Sequence, residues 1–129
     1  MNDLPKILVA EDDTALNGIL QFTLQRAGFQ VVSAKNGQEA AKAAKQTEFD
    51  VIISDQQMPR MTGVELLSFV RMQTENSAVP FVLLTAKAFE VDVDRLETEF
   101  GVAEVIKKPF SPTAVVKIVN SLLVTGISE

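Results

Sequence analysis

Short apolar runs alternate with longer segments of helical periodicity five times along this 129-residue chain. The five runs are residues 6–10, 31–34, 51–54, 81–84 and 104–107. The first, third and fourth are apolar at nearly every position, which is typical of strands in a parallel sheet that is covered on both faces. The pattern therefore predicts five strands, each followed by a helix.

Signals for the starts and ends of helices separate these strands. Asp13 or Thr14 can begin the first helix, and Gly28 lies where a residue in the left-handed region commonly ends one. Asn36 and Thr62 each stand three residues before a glutamate, which is the spacing of a capping box at a helix start. The apolar stripe of the predicted first helix consists of Leu16, Ile19, Leu20, Leu24 and Ala27.

The segment between the fourth and fifth strands is ambiguous, because residues 91–94 alternate as a strand would. A helical period is nevertheless followed by Phe89, Val93, Leu96 and Phe100. We predict a helix here that ends near Gly101. Ser111 followed by Pro112 predicts the start of a last helix, which should reach about Leu123.

Five β-α units with short connections predict an α/β fold, a doubly wound parallel sheet with helices on both faces. Right-handed crossovers bring the carboxyl ends of all strands to one edge of the sheet, where such folds bind their ligands. The length suits a single domain. We expect residues 1–129 to form it, with a core of about 5–124 and no output domain.

Composition excludes several kinds of chemistry. The chain has no Cys and no His, which excludes a disulfide framework, a thiol nucleophile, a Ser-His-Asp triad and a histidine-ligated metal. Its 17 acidic and 12 basic residues give a net charge of −5, which disfavours direct binding of nucleic acid. No apolar run is long enough for a membrane span, and the acidic residues at 11–13 come too early for a secretory signal. We expect a cytoplasmic protein without membrane insertion.

The residues that follow the strands carry the candidate chemistry. They are Glu11, Asp12 and Asp13 after the first strand, Asp55 after the third, Thr85 after the fourth and Lys108 after the fifth. Clustered carboxylates repel one another unless a cation neutralises them, and an all-oxygen set of ligands favours a hard ion such as Mg²⁺. A carboxylate beside that ion can act as a nucleophile towards phosphorus, while a lysine and a hydroxyl stabilise the transferring phosphoryl group.

These motifs, taken in order, resemble the receiver domains of two-component response regulators. The matching segments are residues 7–13 (ILVAEDD), 55–59 (DQQMP) with Gly63, 84–86 (LTA) and 108–110 (KPF). Each is a weak signal alone, but together they cover essentially the whole chain in the order of the family. The resemblance implies a flavodoxin-like fold with the strand order 2-1-3-4-5, which the pattern of the chain alone does not determine.

The resemblance also implies a role for each site residue. Asp55 would accept a phosphoryl group. Mg²⁺ would be held by the side chains of Glu11, Asp12 and Asp55 and by the backbone carbonyl of Gln57. Thr85 would hydrogen-bond the phosphoryl group and Lys108 would pair with it, on a turn that Pro109 supports through a cis peptide bond.

Val105 departs from the family pattern. The family usually has Tyr or Phe three residues before its lysine, where the ring rotates as a switch, and this chain has Val105 there. Because valine has a stiff side chain and no ring, we expect the signal to pass through the loop after Thr85 and the helix bearing Phe89 and Val93. Glu11, where many members have Asp, is a variant that the family also shows.

The resemblance implies a stand-alone phosphorelay receiver, a signalling domain that catalyses its own phosphotransfer and a slow autodephosphorylation. The phosphoryl group would come from the phosphohistidine of a sensor histidine kinase or a histidine phosphotransfer protein, in a Mg²⁺-dependent reaction. The signal would then pass to a downstream protein target or onward by phosphotransfer. The resemblance also allows a homodimer through the face formed by helix 4, strand 5 and helix 5.

Other functions compete with this interpretation. A phosphatase of the haloacid dehalogenase type also uses Mg²⁺ and an aspartyl phosphate, but it needs Asp-x-Asp where this chain has residues 11–13 (EDD). A nucleotide-binding module needs a glycine-rich phosphate loop, and the six glycines lie too far apart. The intact acid set disfavours a receiver that cannot be phosphorylated. Taken singly, the acids could be a solvated helix start and Thr85 a helix N-cap.

Overall fold

The five predicted strands form one sheet in a computed structural model, which describes residues 4–87 and 91–127. The strands are β1 (Lys6–Ala10), β2 (Gln30–Ala34), β3 (Val51–Asp55), β4 (Phe81–Thr85) and β5 (Glu104–Lys107). Their order is β2-β1-β3-β4-β5, and every neighbouring pair is parallel. The predicted doubly wound, flavodoxin-like α/β fold is therefore confirmed.

In the described residues, four helices connect the strands, a fifth follows β5, and together they cover the sheet. They are α1 (Thr14–Arg26), α2 (Gly37–Gln46), α3 (Gly63–Gln73), α4 (Val93–Phe100) and α5 (Pro112–Ile127). Thr62 and Glu65 form the predicted capping box of α3 in full, and Asp13 caps α1 by accepting a hydrogen bond from the backbone of Leu16 at 3.1 Å. None of the helices in the described part of the chain is long and apolar enough to cross a membrane.

The helix predicted after β4 is confirmed from Val93 onwards. It ends as expected before Gly101, whose φ of 63° places it in the left-handed region that glycine tolerates best. Phe89 lies outside the described residues, so the predicted start of the apolar stripe on this helix remains a prediction. The last helix runs four residues beyond the predicted end at Leu123.

The core has two layers because strand side chains alternate between the faces of the sheet. One layer packs Leu8, Ile52 and Leu83 against helices α2, α3 and α4. The other packs Ile7 and Val82 against helices α1 and α5. All five of these side chains are fully buried, and each contributes roughly 1.5–3 kcal/mol to folding relative to an exposed position. The sheet is thus a rigid support for whatever lies at its edges.

The buried face of α1 differs from the predicted apolar stripe. Ile19 and Ala27 were expected on that stripe, but Ile19 is 48% exposed and Ala27 is exposed as well. The face that packs on the sheet is centred on Leu20 and Leu24, and it also includes Asn17, which is only 6% exposed. Ile19 is one residue from Leu20, about 100° around the helix, so it cannot share that face fully.

Candidate functional site

The carboxyl ends of four strands bring the predicted site residues together. Glu11 directly follows β1, Asp55 and Thr85 are the last residues of β3 and β4, and Lys108 directly follows β5. Asp55 and Thr85 were expected just after their strands, so each strand is one residue longer than predicted. Glu11, Asp55 and Thr85 are at most 2% exposed. Buried polar groups at the edge of an apolar sheet require specific partners.

Three carboxylates converge at this edge. One oxygen from each of Glu11, Asp12 and Asp55 lies within 4.8 Å of the others, with Asp12 on the exposed side. Burial raises the pKa of Glu11, and a hydrogen bond from the Asp13 N–H at 3.1 Å only partly opposes it. Burial also raises the pKa of Asp55, although the nearby Lys108 acts to lower it. Ionisation of Glu11 and Asp55 in the folded chain therefore costs free energy, and a cation would reduce that cost.

Lys108 is the cation that the chain itself supplies. Its Nζ lies 2.9 Å from Oδ1 of Asp55 and 3.3 Å from Oε1 of Glu11. Burial lowers the pKa of Lys108, but the two carboxylates outweigh this, so that its pKa is raised. The Lys108–Pro109 peptide bond is cis, as the resemblance implies. One ammonium group facing three carboxylates leaves the site negatively charged.

The oxygens of the site fit a hard divalent ion. Within residues 4–87 and 91–127, no hydrogen bond of favourable geometry reaches the buried Oδ1 of Asp55, despite the nearby lysine. The exposed Gln57 follows Asp55 by two residues, so its backbone carbonyl lies close in the chain to the end of β3. An all-oxygen set that includes buried carboxylate oxygens matches the ligands that Mg²⁺ takes in proteins.

The Thr85 hydroxyl points towards the loop that follows β4. Its Oγ1 accepts a hydrogen bond from the backbone N–H of Lys87 at 3.1 Å, and its backbone carbonyl accepts one from the N–H of Lys108 at 2.8 Å. Thr85 does not cap α4, whose N-cap is Asp92. Thr85 thus joins the loop after β4 to the loop after β5, and its hydroxyl proton can still be donated to a ligand.

Gly63 allows α3 to begin directly against Asp55. A Cβ atom at Gly63 would lie 2.5 Å from the carbonyl oxygen of Asp55 and 2.5 Å from a methyl carbon of Leu83, closer than any side chain could be tolerated. The N–H groups of Gly63 and Val64 donate to the backbone and side-chain oxygens of Gln56 at 3.1 and 2.8 Å. The glycine of the sequence motif is therefore required by close packing beneath the acidic cluster.

Asn17 is a neighbour of the site that the sequence pattern did not single out. Its Nδ2 donates to the backbone carbonyls of Glu11 at 2.8 Å and Ala34 at 3.1 Å, and its Oδ1 accepts from Nε2 of Gln21 at 3.0 Å. Its position three residues before Leu20 places it on the buried face of α1. A polar residue on such a face is uncommon, and this could have marked Asn17 in the sequence as a residue with a specific role.

A cavity of about 410 Å³ opens beside Lys108. Its lining consists of Asp13, Leu16, Ala86, Lys108, Pro109 and Phe110. Most of these side chains are apolar, in contrast to the charged cluster that they adjoin.

Comparison with known proteins identifies the family. The model of the response regulator receiver domain matches residues 7–120. The chain is 36% identical over 118 residues to the alkaline phosphatase synthesis transcriptional regulatory protein PhoP of Bacillus subtilis (strain 168), which covers 92% of this chain and 48% of that protein. It spans about half the length of the curated relatives that it matches, namely 48%, 54% and 47% of the first three.

Solved structures agree with this match. The chemotaxis protein CheY4 of Vibrio cholerae superposes with a TM-score of 0.83 at 34% identity, covering 94% of this chain and 100% of that one. The receiver domain of the sensor histidine kinase PA1611 of Pseudomonas aeruginosa, solved with a magnesium ion coordinated in its active site cleft, superposes with a TM-score of 0.82. At 24% identity, with 94% and 98% of the two chains covered, it supports the fold alone. The chain therefore belongs to the response regulator receiver domains of two-component systems.

Proposed function

We propose that this chain accepts a phosphoryl group on Asp55 from a phosphohistidine of a partner protein, in a reaction that requires Mg²⁺. One observation carries the proposal: the buried Asp55 carboxylate lies in a cluster with Glu11 and Asp12, with Lys108 Nζ at 2.9 Å. This arrangement supplies a nucleophile, a set of ligands for a cation and a positive group for phosphoryl oxygens. The chain has no His of its own, so the phosphohistidine belongs to a sensor histidine kinase or a histidine phosphotransfer protein.

The transfer is a displacement at phosphorus. A carboxylate oxygen of Asp55 forms the new O–P bond while the P–N bond of the phosphohistidine breaks, and the electron pair of that bond returns to the imidazole nitrogen. Lys108 pairs with one oxygen of the phosphoryl group, and the hydroxyl of Thr85 donates to another. Hydrolysis of the acyl phosphate by water then returns the free carboxylate slowly, without a partner.

Glu11, Asp12, Asp55 and the backbone carbonyl of Gln57 are the residues that would hold Mg²⁺. When bound, the ion neutralises charge on the carboxylates and on the phosphoryl oxygens. These carboxylates would hold the ion beside the nucleophile, since one oxygen from each lies within 4.8 Å of the others. The raised pKa values of Glu11 and Asp55 support this assignment. Burial disfavours the charged form of both carboxyls, and a bound cation would stabilise that form.

The surface around Asp55 offers an approach for the partner. The cavity beside Lys108, which Leu16 and Phe110 help to line, is proposed to receive the imidazole ring of the phosphohistidine. On the adjoining helix α1, Ile19 is 48% and Phe22 is 60% exposed. Large exposed apolar side chains on the helix that begins just after the acidic residues favour contact with a partner protein.

The output of the switch is proposed to leave through the β4–α4 loop and α4, towards a downstream protein or an onward phosphotransfer. Val105 is half-buried against the same core layer as Leu96 of α4, and its neighbour in the sheet is Leu83. Since Thr85 already bonds to Lys87 in the loop, a movement of its hydroxyl towards a phosphoryl group would displace that loop. Homodimerisation through the α4–β5–α5 face, the cytoplasmic location and the single-domain organisation remain predictions.

Labelling by a small phosphodonor tests the proposal. The chain is incubated with acetyl phosphate in the presence of Mg²⁺ or of EDTA, and a phosphoryl adduct is measured by intact mass spectrometry. We expect an adduct with Mg²⁺, almost none with EDTA, and none for Asp55→Asn. Asp50→Asn is the matched control, because Asp50 precedes the same strand at the opposite edge of the sheet. Full labelling of Asp55→Asn, or equal labelling in EDTA, would contradict the proposal.

A further inference from the structure

Asn17 ties helix α1 to the ends of two strands beside the acidic cluster. Its amide nitrogen bridges the carbonyls of Glu11 at 2.8 Å and Ala34 at 3.1 Å. The N–H of Glu11 donates to the same Ala34 carbonyl at 3.1 Å, and the N–H of Asn17 donates to the carbonyl of Asp13 at 2.9 Å. The turn between β1 and α1 is therefore bonded at both ends, and Asp12 lies between them.

The orientation of the Asn17 amide follows from its partners. Two carbonyl oxygens require a donor on one side of the amide, and Nε2 of Gln21, at 3.0 Å from the other side, requires an acceptor there. The three contacts agree on one assignment of the nitrogen and the oxygen. Helical side chains point towards the N-terminus of their helix, which explains how a residue in the second turn of α1 reaches back to Glu11.

We propose that Asn17 is a positioning residue, which holds the Glu11–Asp12 turn in the geometry that Mg²⁺ binding and phosphoryl transfer to Asp55 require. The inference rests on the proposed function of the acidic cluster. Asn17 touches neither the cation nor the phosphoryl group; it acts through the backbone of Glu11. Mg²⁺ demands nearly ideal octahedral geometry, so a small displacement of two of its ligands weakens binding.

A cavity of about 320 Å³ adjoins Asn17. It allows the effect of Asn17 on metal affinity to be distinguished from its effect on stability. Glu11, Asn17, Gln21, Lys35 and other polar residues line it. If Asn17 is shortened to alanine, water can enter from this cavity and hydrogen-bond the two carbonyls that lose their donor. Water does not fix the turn in place, however, because it is not attached to α1. The loss of metal affinity is therefore expected to exceed the loss of stability.

Asn76 provides a matched control in the same chain. It is 3% exposed, and its Nδ2 also bridges two carbonyls, those of Ala44 at 2.7 Å and Thr47 at 2.9 Å. Its Oδ1 accepts from the N–H of Phe49 at 2.7 Å. These residues precede β3 and β4, so Asn76 lies at the edge of the sheet opposite to the acidic cluster. Both asparagines have the same bonding role, and only one adjoins the site.

The experiment compares Asn17→Ala with Asn76→Ala. Mg²⁺ dissociation constants are measured by titrating the backbone amide NMR signals of residues 11–13 and 55–57, well below the melting temperature of each variant. We expect Asn17→Ala to raise the dissociation constant about 10-fold, the usual loss when a residue that orients metal ligands is removed. Asn76→Ala should keep the wild-type constant while lowering the melting temperature at least as much. High Mg²⁺ should restore much of the rate of acetyl phosphate labelling in Asn17→Ala.

Gln21→Met keeps the test decisive if Asn17→Ala does not fold. It leaves Asn17 in place and removes the donor that orients its amide, so we expect a smaller increase in the dissociation constant. Equal constants for wild type and both site variants, or equal changes in Asn17→Ala and Asn76→Ala, would overturn the inference alone. A wild-type chain that binds no Mg²⁺ and takes no phosphoryl group would overturn the proposed function and, with it, the inference.

Discussion

Asp50 and Asp55 flank the same strand at opposite edges of the sheet, and their surroundings differ. Asp50 is exposed and pairs with Lys6 through the backbone: its Oδ2 accepts from the Lys6 N–H at 2.8 Å, and its own N–H donates to the Lys6 carbonyl at 2.8 Å. Asp55 is 2% exposed and lies among other carboxylates, with the ammonium of Lys108 at 2.9 Å. Asp50 therefore satisfies backbone groups at the start of a neighbouring strand, whereas Asp55 adds a negative charge to a cluster of carboxylates.

The two edges therefore use polar residues differently. At the amino-terminal edge, the neutral side chain of Asn76 satisfies backbone groups of the neighbouring loops. At the carboxyl-terminal edge, burial raises the pKa of Glu11 and of Asp55, so the ionised form of each carboxyl is less favourable there than in water. Groups whose pKa is shifted by burial and by specific charges are typical of functional sites. The difference indicates that the second edge was shaped by its ligands rather than by stability.

Removing Lys108 should have the largest effect on stability. Lys108→Ala leaves two buried carboxylates without their ammonium partner, and we expect the free energy of unfolding to fall by about 3 kcal/mol in the absence of Mg²⁺. Added Mg²⁺ should recover part of the loss, and phosphoryl stabilisation should be impaired. Urea unfolding with and without Mg²⁺ measures this. The adjacent, exposed Lys107 is the control. If Lys107→Ala lowers the free energy of unfolding as much as Lys108→Ala does, the ion pairs of Lys108 with the buried carboxylates do not explain the loss.

A methyl group beneath Asp55 should disturb the same edge sterically. Gly63→Ala places a Cβ atom 2.5 Å from the Asp55 carbonyl, so we expect a loss of about 2 kcal/mol in stability and weaker Mg²⁺ binding. Gly18→Ala, in the exposed middle of α1 with open space around it, should instead stabilise the chain by up to about 1 kcal/mol. Thermal unfolding of the two variants gives the signs. If both substitutions stabilise the chain, the neighbours of Gly63 can move aside for a methyl group at little cost in free energy.

Mg²⁺ itself should stabilise the chain through the acidic edge. At a free concentration about ten times the dissociation constant, the ion should add about 1.4 kcal/mol to the free energy of unfolding. The shift in melting temperature should be lost in Asp12→Asn and retained in Asp50→Asn. Asp55→Asn should stabilise the metal-free chain, because it removes one of the mutually repelling buried charges. Equal Mg²⁺ shifts for wild type and Asp12→Asn would place the ion elsewhere.

Much of the fold could be predicted from the sequence because its signals are local. The apolar runs mark the strands, and the caps at Asp13, Thr62 and Ser111 mark three helix starts. The acids could be assigned to one edge because parallel strands end together. The precise contacts could not be predicted, since Lys108 meets a glutamate 97 positions away. Asn17 was missed for the same reason: its role depends on a carbonyl of another strand, 17 positions along the chain.

Val105 should matter least. Val105→Ala shortens a half-buried side chain, and we expect a loss of roughly 1 kcal/mol in stability and no loss of the response to the phosphoryl mimic beryllofluoride. NMR changes on beryllofluoride binding should concentrate in residues 86–95, with the Val105 side chain nearly unchanged in the wild type. A well-folded Val105→Ala variant whose response collapses would show that the valine is itself part of the switch.

The position of the phosphoryl group tests the central claim most directly. The wild-type chain is labelled with acetyl phosphate and Mg²⁺, the acyl phosphate is reduced with borohydride, and the peptides are mapped by mass spectrometry. Reduction converts a phosphorylated aspartate to homoserine, so the modified residue is identified without any substitution. We predict homoserine at position 55 and none at position 50, 12 or 13. Homoserine at any of those other positions with Asp55 intact would contradict the account.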